Sequence, residues 1–78
     1  MGIIKIHHIK KYPSINLGYM AHTFRAILAD KGLISYGRVC QKGRDEAMLL
    51  VISDMPTEAI ALILQDYCMF VDVMADTY

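Results

Sequence analysis

Hydrophobic positions in the first part of this 78-residue chain change from the period of a strand to the period of a helix. Residues 3–11 are rich in isoleucine and alternate roughly between apolar and polar, which predicts a strand. Residues 17–31 place apolar side chains within a band of about 120° around a helix axis. These side chains are Leu17, Met20, Ala21, Phe24, Ile27 and Leu28. Ser14 or Asn16 can cap the start of this helix, and Gly32 is the expected residue just past its end.

The rest of the chain repeats this change of period. Residues 33–41 and 46–53 predict two strands, joined as a hairpin by a short turn at 42–45. Residues 54–58 contain a proline and two acids, a composition typical of a helix start. The helix that follows aligns Ile60, Ile63, Leu64 and Tyr67. Residues 69–75 alternate again and predict a fourth strand, with Met69, Val71, Val73 and Ala75 on one side. A continued helix stays open there, because Ala and Met are also helix formers.

The predicted order β-α-β-β-α-β is that of an α+β sandwich with a ferredoxin-like, split βαβ arrangement. Right-handed crossovers place the first and third strands in the centre of one four-stranded antiparallel sheet. Both helices then cover the same face of the sheet and leave the other face open. The chain is short and has no internal linker or repeat, so we expect a single domain over residues 1–78.

The open face of this sheet is predicted to be apolar at its centre. The continuous apolar run at 47–52 indicates burial on both faces of the third strand, but only one set of its side chains can lie under the helices. An apolar patch on a helix-free face usually marks an interface. Which face is open stays undecided; with Met48 outward, the candidate interface is Lys5, His7, Ile9, Tyr36, Arg38, Met48, Leu50 and Ile52.

Charge is divided unevenly between the two parts of the chain. All eight basic residues and one acid lie in positions 1–44, and the other seven acids lie in positions 45–78. The two parts therefore carry +7 and −7, although the formal net charge is zero. Such an asymmetry does not exclude an anionic partner, and it is compatible with charge-complementary self-association.

Several cations are predicted to lie near the start of the first helix, because the first two strands run parallel and end there. The helix N-terminus and these cations could bind phosphate, a nucleotide, a nucleic-acid backbone or an acidic protein surface. Asp45, Glu46 and Asp66 near the same end would offset the cations. The residues of this candidate ligand site are Lys10, Lys11, Ser14, Asn16, Gly18, Lys42 and Arg44.

Sequence motifs for catalysis or metal binding are absent. His7 and His8 are neighbours in a strand and point to opposite faces, and no CxxC, HxxxH or HExxH spacing occurs. The glycines are isolated, so no phosphate-binding loop is present. The central strands lack aromatic residues, which disfavours the base stacking of RNA-recognition motifs. We therefore expect no enzyme activity, no cofactor and no metal.

Composition completes the expectation about location and function. Two cysteines are too few for a disulfide scaffold, which favours a reducing cytoplasm, and no apolar stretch is long enough to span a membrane. We expect a small non-catalytic module that forms a homo-oligomer, such as a homodimer, or that regulates or inhibits a larger protein. The alternative is a regulatory domain that binds a small anion or nucleotide at its basic end. A nucleic-acid-binding module is a further, disfavoured alternative.

Overall fold

The protein forms one four-stranded antiparallel sheet with two helices, as described by a computed structural model for residues 1–41 and 43–76. Its elements, in chain order, are β1 (Gly2–His8), α1 (Leu17–Asp30), β2 (Tyr36–Gln41), β3 (Glu46–Ile52), α2 (Thr57–Tyr67) and β4 (Val71–Asp76). The strand order is β2-β3-β1-β4, with antiparallel pairing throughout. The predicted ferredoxin-like arrangement is confirmed, including a strand rather than a helix at the end. No helix in the described part of the chain is long and apolar enough to span a membrane.

The hydrophobic core lies between both helices and one face of the sheet. Alternate residues of the strands supply that face, and their side chains are almost completely buried; they are Ile4, Ile6, Ala47, Leu49, Val51, Val71 and Val73. Helix α1 contributes Leu17, Ala21, Phe24 and Leu28. Helix α2 contributes Ile60, Ala61 and Leu64. Tyr67, which the sequence pattern aligned with this buried side of α2, is instead 52% exposed.

The strands are shorter than the sequence pattern predicted, because each ends where its neighbours end. Strand β1 stops at His8, which pairs with Val71, and the Tyr12 backbone N–H donates to the Ile9 carbonyl in a turn, at 3.1 Å. Ile9 is therefore outside the sheet. Strand β2 begins at Tyr36 rather than at residue 33.

Both ends of α1 have the capping groups that the sequence predicts. The Asn16 side chain accepts a hydrogen bond from the Tyr19 backbone N–H at 2.9 Å, so Asn16 and not Ser14 is the N-cap. At the other end, Gly32 has a φ of 70° and donates to the Ala29 carbonyl, while the next N–H donates to the Leu28 carbonyl. These two bonds form a Schellman motif, which requires a left-handed residue at Gly32.

Side chains connect helix α2 to both of its neighbours, through Gln65 to the strand that follows and through Tyr67 to the end of α1. The Gln65 amide donates to the carbonyls of Cys68 and Val71, and its oxygen accepts from the Val73 N–H at 2.9 Å. At the end of α1, the ammonium of Lys31 lies 5.4 Å from the ring centroid of Tyr67. A hydrogen bond to the Tyr67 hydroxyl is the main cause that raises the pKa of Lys31 above its usual value.

Candidate interaction surface

The sheet face opposite the helices is formed by alternate residues of all four strands, here called the open face. Strand register places them in rows that cross the sheet from β2 to β4. The first row is Arg38, Leu50, Ile3 and Asp76. The second row is Cys40, Met48, Lys5 and Met74. The third row includes Glu46, His7 and Asp72, and Tyr36 pairs with Ile52 beyond the first row.

Apolar side chains occupy the centre of the open face together with the polar side chains of the central strand β1. Met48 and Leu50 are half-buried, and Ile52 is 46% exposed. On the edge strands, Tyr36 is 52% and Met74 is 49% exposed. The expectation that β3 is buried on both faces is therefore wrong for the single chain, because the helices cover one face only. The apolar run in β3 leaves a partly exposed hydrophobic patch.

Charged side chains frame this patch with opposite signs at its two edges. Arg38 lies on edge strand β2, while Asp72 and Asp76 lie on edge strand β4. The ammonium of Lys5 is 3.4 Å from a carboxylate oxygen of Asp76. The Nε2 atom of His7 is 2.7 Å from a carboxylate oxygen of Glu46. The open face thus carries a basic edge and an acidic edge.

Most of the predicted interface residues lie on the open face. They are Lys5, His7, Tyr36, Arg38, Met48, Leu50 and Ile52. Ile9 is the exception, because it follows the end of β1. Sequence reasoning missed the contribution of β4, namely Asp72, Met74 and Asp76. The alternation of residues 71–76 contained that signal, since these three positions lie opposite the buried side chains of Val71 and Val73.

A cleft of about 560 Å³ lies at the predicted basic end, beside the start of α1. Its lining consists of His8, Pro13, Ser14, Ile15, Asn16, Leu17, Arg44 and Asp45. Of the predicted ligand site, the fold therefore brings together Ser14, Asn16 and Arg44. Lys10 and Lys11 are exposed but do not line the cleft, and Gly18 is buried in the first turn of α1. Lys42 lies outside the described residues.

The polar groups of this cleft are largely engaged with one another. His8 Nε2 is 2.6 Å from the Ile15 carbonyl, so this nitrogen carries the proton and donates. The other ring nitrogen of His8 lies 3.9 Å from the exposed carboxylate of Asp45. The Asn16 side chain is occupied as the cap of α1. The remaining charges in the lining are Arg44 and Asp45, which have opposite signs. The cleft is close to neutral, and the helix N-terminus is already partly satisfied.

The described residues contain free thiols but no cluster of potential metal ligands. Within residues 1–41 and 43–76, no group of three or more His, Cys, Asp or Glu side chains could hold a metal ion. Cys40 and Cys68 are free thiols. Comparisons with protein-family models, with curated proteins and with solved structures find no match to this chain.

Proposed function

We propose that this protein is a non-catalytic interaction module that binds a protein partner through the open face. The observation that carries the proposal is the partly exposed apolar centre of that face, with Met48 and Leu50 in a central strand. A hydrophobic centre with a charged rim is the usual anatomy of a protein–protein interface. Tyr36, Ile52 and Met74 extend the apolar area outward.

The hydrogen-bond contacts of the two strand histidines agree with a binding role rather than a catalytic one. His7 is paired with Glu46 on the open face, and His8 donates to the Ile15 carbonyl in the lining of the cleft. These contacts give both side chains a structural partner.

The two cysteines are free thiols, which supports a reducing cytoplasmic location for the module.

Methionine oxidation footprinting in cells tests this proposal. The rate of sulfoxide formation at Met74 would be compared between living host cells and dilute purified protein, with Met69 as the matched control. Met69 is 78% exposed and lies outside the strands, before β4. We expect protection of Met74, and of the less exposed Met48, in cells, while Met69 reacts equally in both samples. Equal oxidation of Met74 in both samples would contradict binding through the open face.

A second candidate function is the binding of a small anion or nucleotide in the cleft beside α1. The grouping of Ser14, Asn16 and Arg44 around that cleft favours it, while the carboxylate of Asp45 opposes it. Titration with inorganic phosphate and with a nucleotide should then shift the amide resonances of Asn16 and Arg44. Unchanged resonances at millimolar ligand would remove this function. A nucleic-acid ligand would in addition lose affinity steeply as salt increases.

A further inference from the structure

We propose that the partner on the open face is a second copy of this chain. This inference rests on the proposed function of that face. The two sheets would stack face to face about a twofold axis that runs parallel to the strands, between β1 and β3. The argument comes from the register of the rows and from the charges at their ends, because a twofold interface must be complementary to itself.

A twofold axis parallel to the strands exchanges the left and right halves of the sheet. Strand β2 then lies over β4 of the partner, and β3 lies over β1 of the partner. Positions in the same row face each other, so Arg38 meets the partner's Asp76 at both edges. In the two central strands, Leu50 meets the partner's Ile3 in the first row, and Met48 meets the partner's Lys5 in the second row. The same operation turns the basic edge of one copy toward the acidic edge of the other.

The alternative face-to-face dimer has its axis across the strands, and the charges oppose it. That axis keeps β4 over the partner's β4 and β2 over the partner's β2. The two acids of β4, Asp72 and Asp76, would then face the same two acids of the other copy. Like charges placed opposite each other at an interface cost free energy. The charge pattern therefore selects the axis parallel to the strands.

The size of the open face sets the expected strength of the dimer. Four strands of at most seven residues give a footprint of about 19 by 23 Å, from a strand spacing of about 4.8 Å and a rise of about 3.3 Å. This area is below that of a standard interface, which buries about 800 Å² on each partner. We therefore expect a dimer that dissociates on dilution rather than a permanent one.

Paired charge reversals test both the second copy and the register. R38D makes the described charges at both edges of the open face acidic. D76R places a cation opposite the partner's Arg38, although Asp72 stays on the same edge and Lys5 loses the acid beside it. Sedimentation would be measured between about 1 µM and about 1 mM. We expect each single variant to dimerise at least about 10-fold more weakly than the wild type, because like charges now meet at both edges. An equimolar mixture of the two variants should recover affinity to within about 3-fold, as a heterodimer.

Two kinds of control show whether association depends on the open face. K10D and D66R reverse charges outside the open face and should leave association unchanged. Leu50→Lys should dissociate the dimer, whereas Leu62→Lys, on the exposed side of α2, should not. Circular dichroism would verify that all variants are folded.

Each other outcome overturns a defined part of the reasoning. A wild type that stays monomeric over the whole range overturns the second copy, while protection of Met74 in cells would still support the open face. A dimer broken by L50K but indifferent to the charge reversals and to their mixture overturns the proposed register. A dimer that survives L50K forms through another surface and overturns the inference, while the proposed function would still be decided by the protection of Met74 in cells.

Discussion

Edge strand β4 depends on one side chain for its outer hydrogen bonds. It pairs with β1 on one side, and on the other side the amide of Gln65 takes the place of a neighbouring strand. Gln65 makes three hydrogen bonds, at 3.1, 2.8 and 2.9 Å. At about 1 kcal/mol each, their loss in Q65A would cost up to about 3 kcal/mol. Water can reach this half-buried site and replace part of the lost hydrogen bonding. We therefore expect Q65A to lower the free energy of unfolding by about 2 kcal/mol.

Urea and thermal unfolding followed by circular dichroism would measure this loss. A cost of about 2 kcal/mol lowers the melting temperature of a domain this small by roughly 8–16 °C. The matched variant Q65M keeps the length of the side chain but cannot form the hydrogen bonds, and D66A changes the exposed neighbour. We expect Q65M to be destabilised like Q65A, with faster hydrogen exchange at the Val73 amide. A Q65M variant as stable as the wild type would refute the hydrogen-bond explanation and leave packing as the cause.

Three further substitutions test local features of the fold by the same unfolding measurements. N16A should cost about 1 kcal/mol, because it removes the cap on the Tyr19 N–H, whereas N16D should be nearly neutral; equal losses would show that the cap is not the cause. G32A should cost about 1 kcal/mol through the left-handed backbone alone, since no described atom beyond Gly32 and its two chain neighbours lies within 4 Å of the added carbon, and G32N should cost less. G2A should cost about 1–3 kcal/mol because its new carbon meets the Thr57 side chain, and adding T57A should recover part of the loss; an additive double variant would contradict that contact.

The order and type of all elements follow from the periods in the sequence, but their ends do not. A strand continues only while a neighbour pairs with it, and Ile9 lies beyond the ends of both neighbours of β1. No local property of the segment Ile9-Lys10-Lys11 contains that information. The caps of α1 were predictable, because Asn16 and Gly32 act through bonds within a few residues of themselves.

The candidate sites were predictable to the extent that they depend on alternation. Both sets of β3 side chains are apolar, so the sequence could not decide which set lies under the helices until the packing of Leu49 and Val51 was known. The prediction of the ligand site was wrong for Lys10 and Lys11 for a different reason. Lys10 and Lys11 belong to a turn, and the direction of a turn side chain depends on tertiary contacts. Lys11 Nζ lies 5.7 Å from the ring centroid of Tyr12, and that ring in turn packs edge-on against Phe70 with centroids 4.8 Å apart.

Folding places one strand from the basic part of the chain and one from the acidic part at opposite edges of the sheet. This arrangement predicts that association depends on salt concentration. Strand β2 comes from the basic part of the sequence and strand β4 from the acidic part, and the fold places them at opposite edges. In the centre, Lys5 and His7 already pair with acids of the same chain. At the edges, Arg38 and Asp76 are the charges that the proposed register brings together, and the Asp76 side chain stays 48% exposed beside Lys5.

Dimerisation through these edges should weaken as salt increases. The contacts lie at an exposed rim, and the screening length falls from about 10 Å at 0.1 M to about 3 Å at 1 M ionic strength. Sedimentation at increasing NaCl should show a steadily larger Kd for the wild type. The R38D variant, whose edges repel, should show the opposite trend, because screening relieves its repulsion. If the apolar centre alone held the dimer, salt would act on both proteins in the same direction, and the edge charges would have no orienting role.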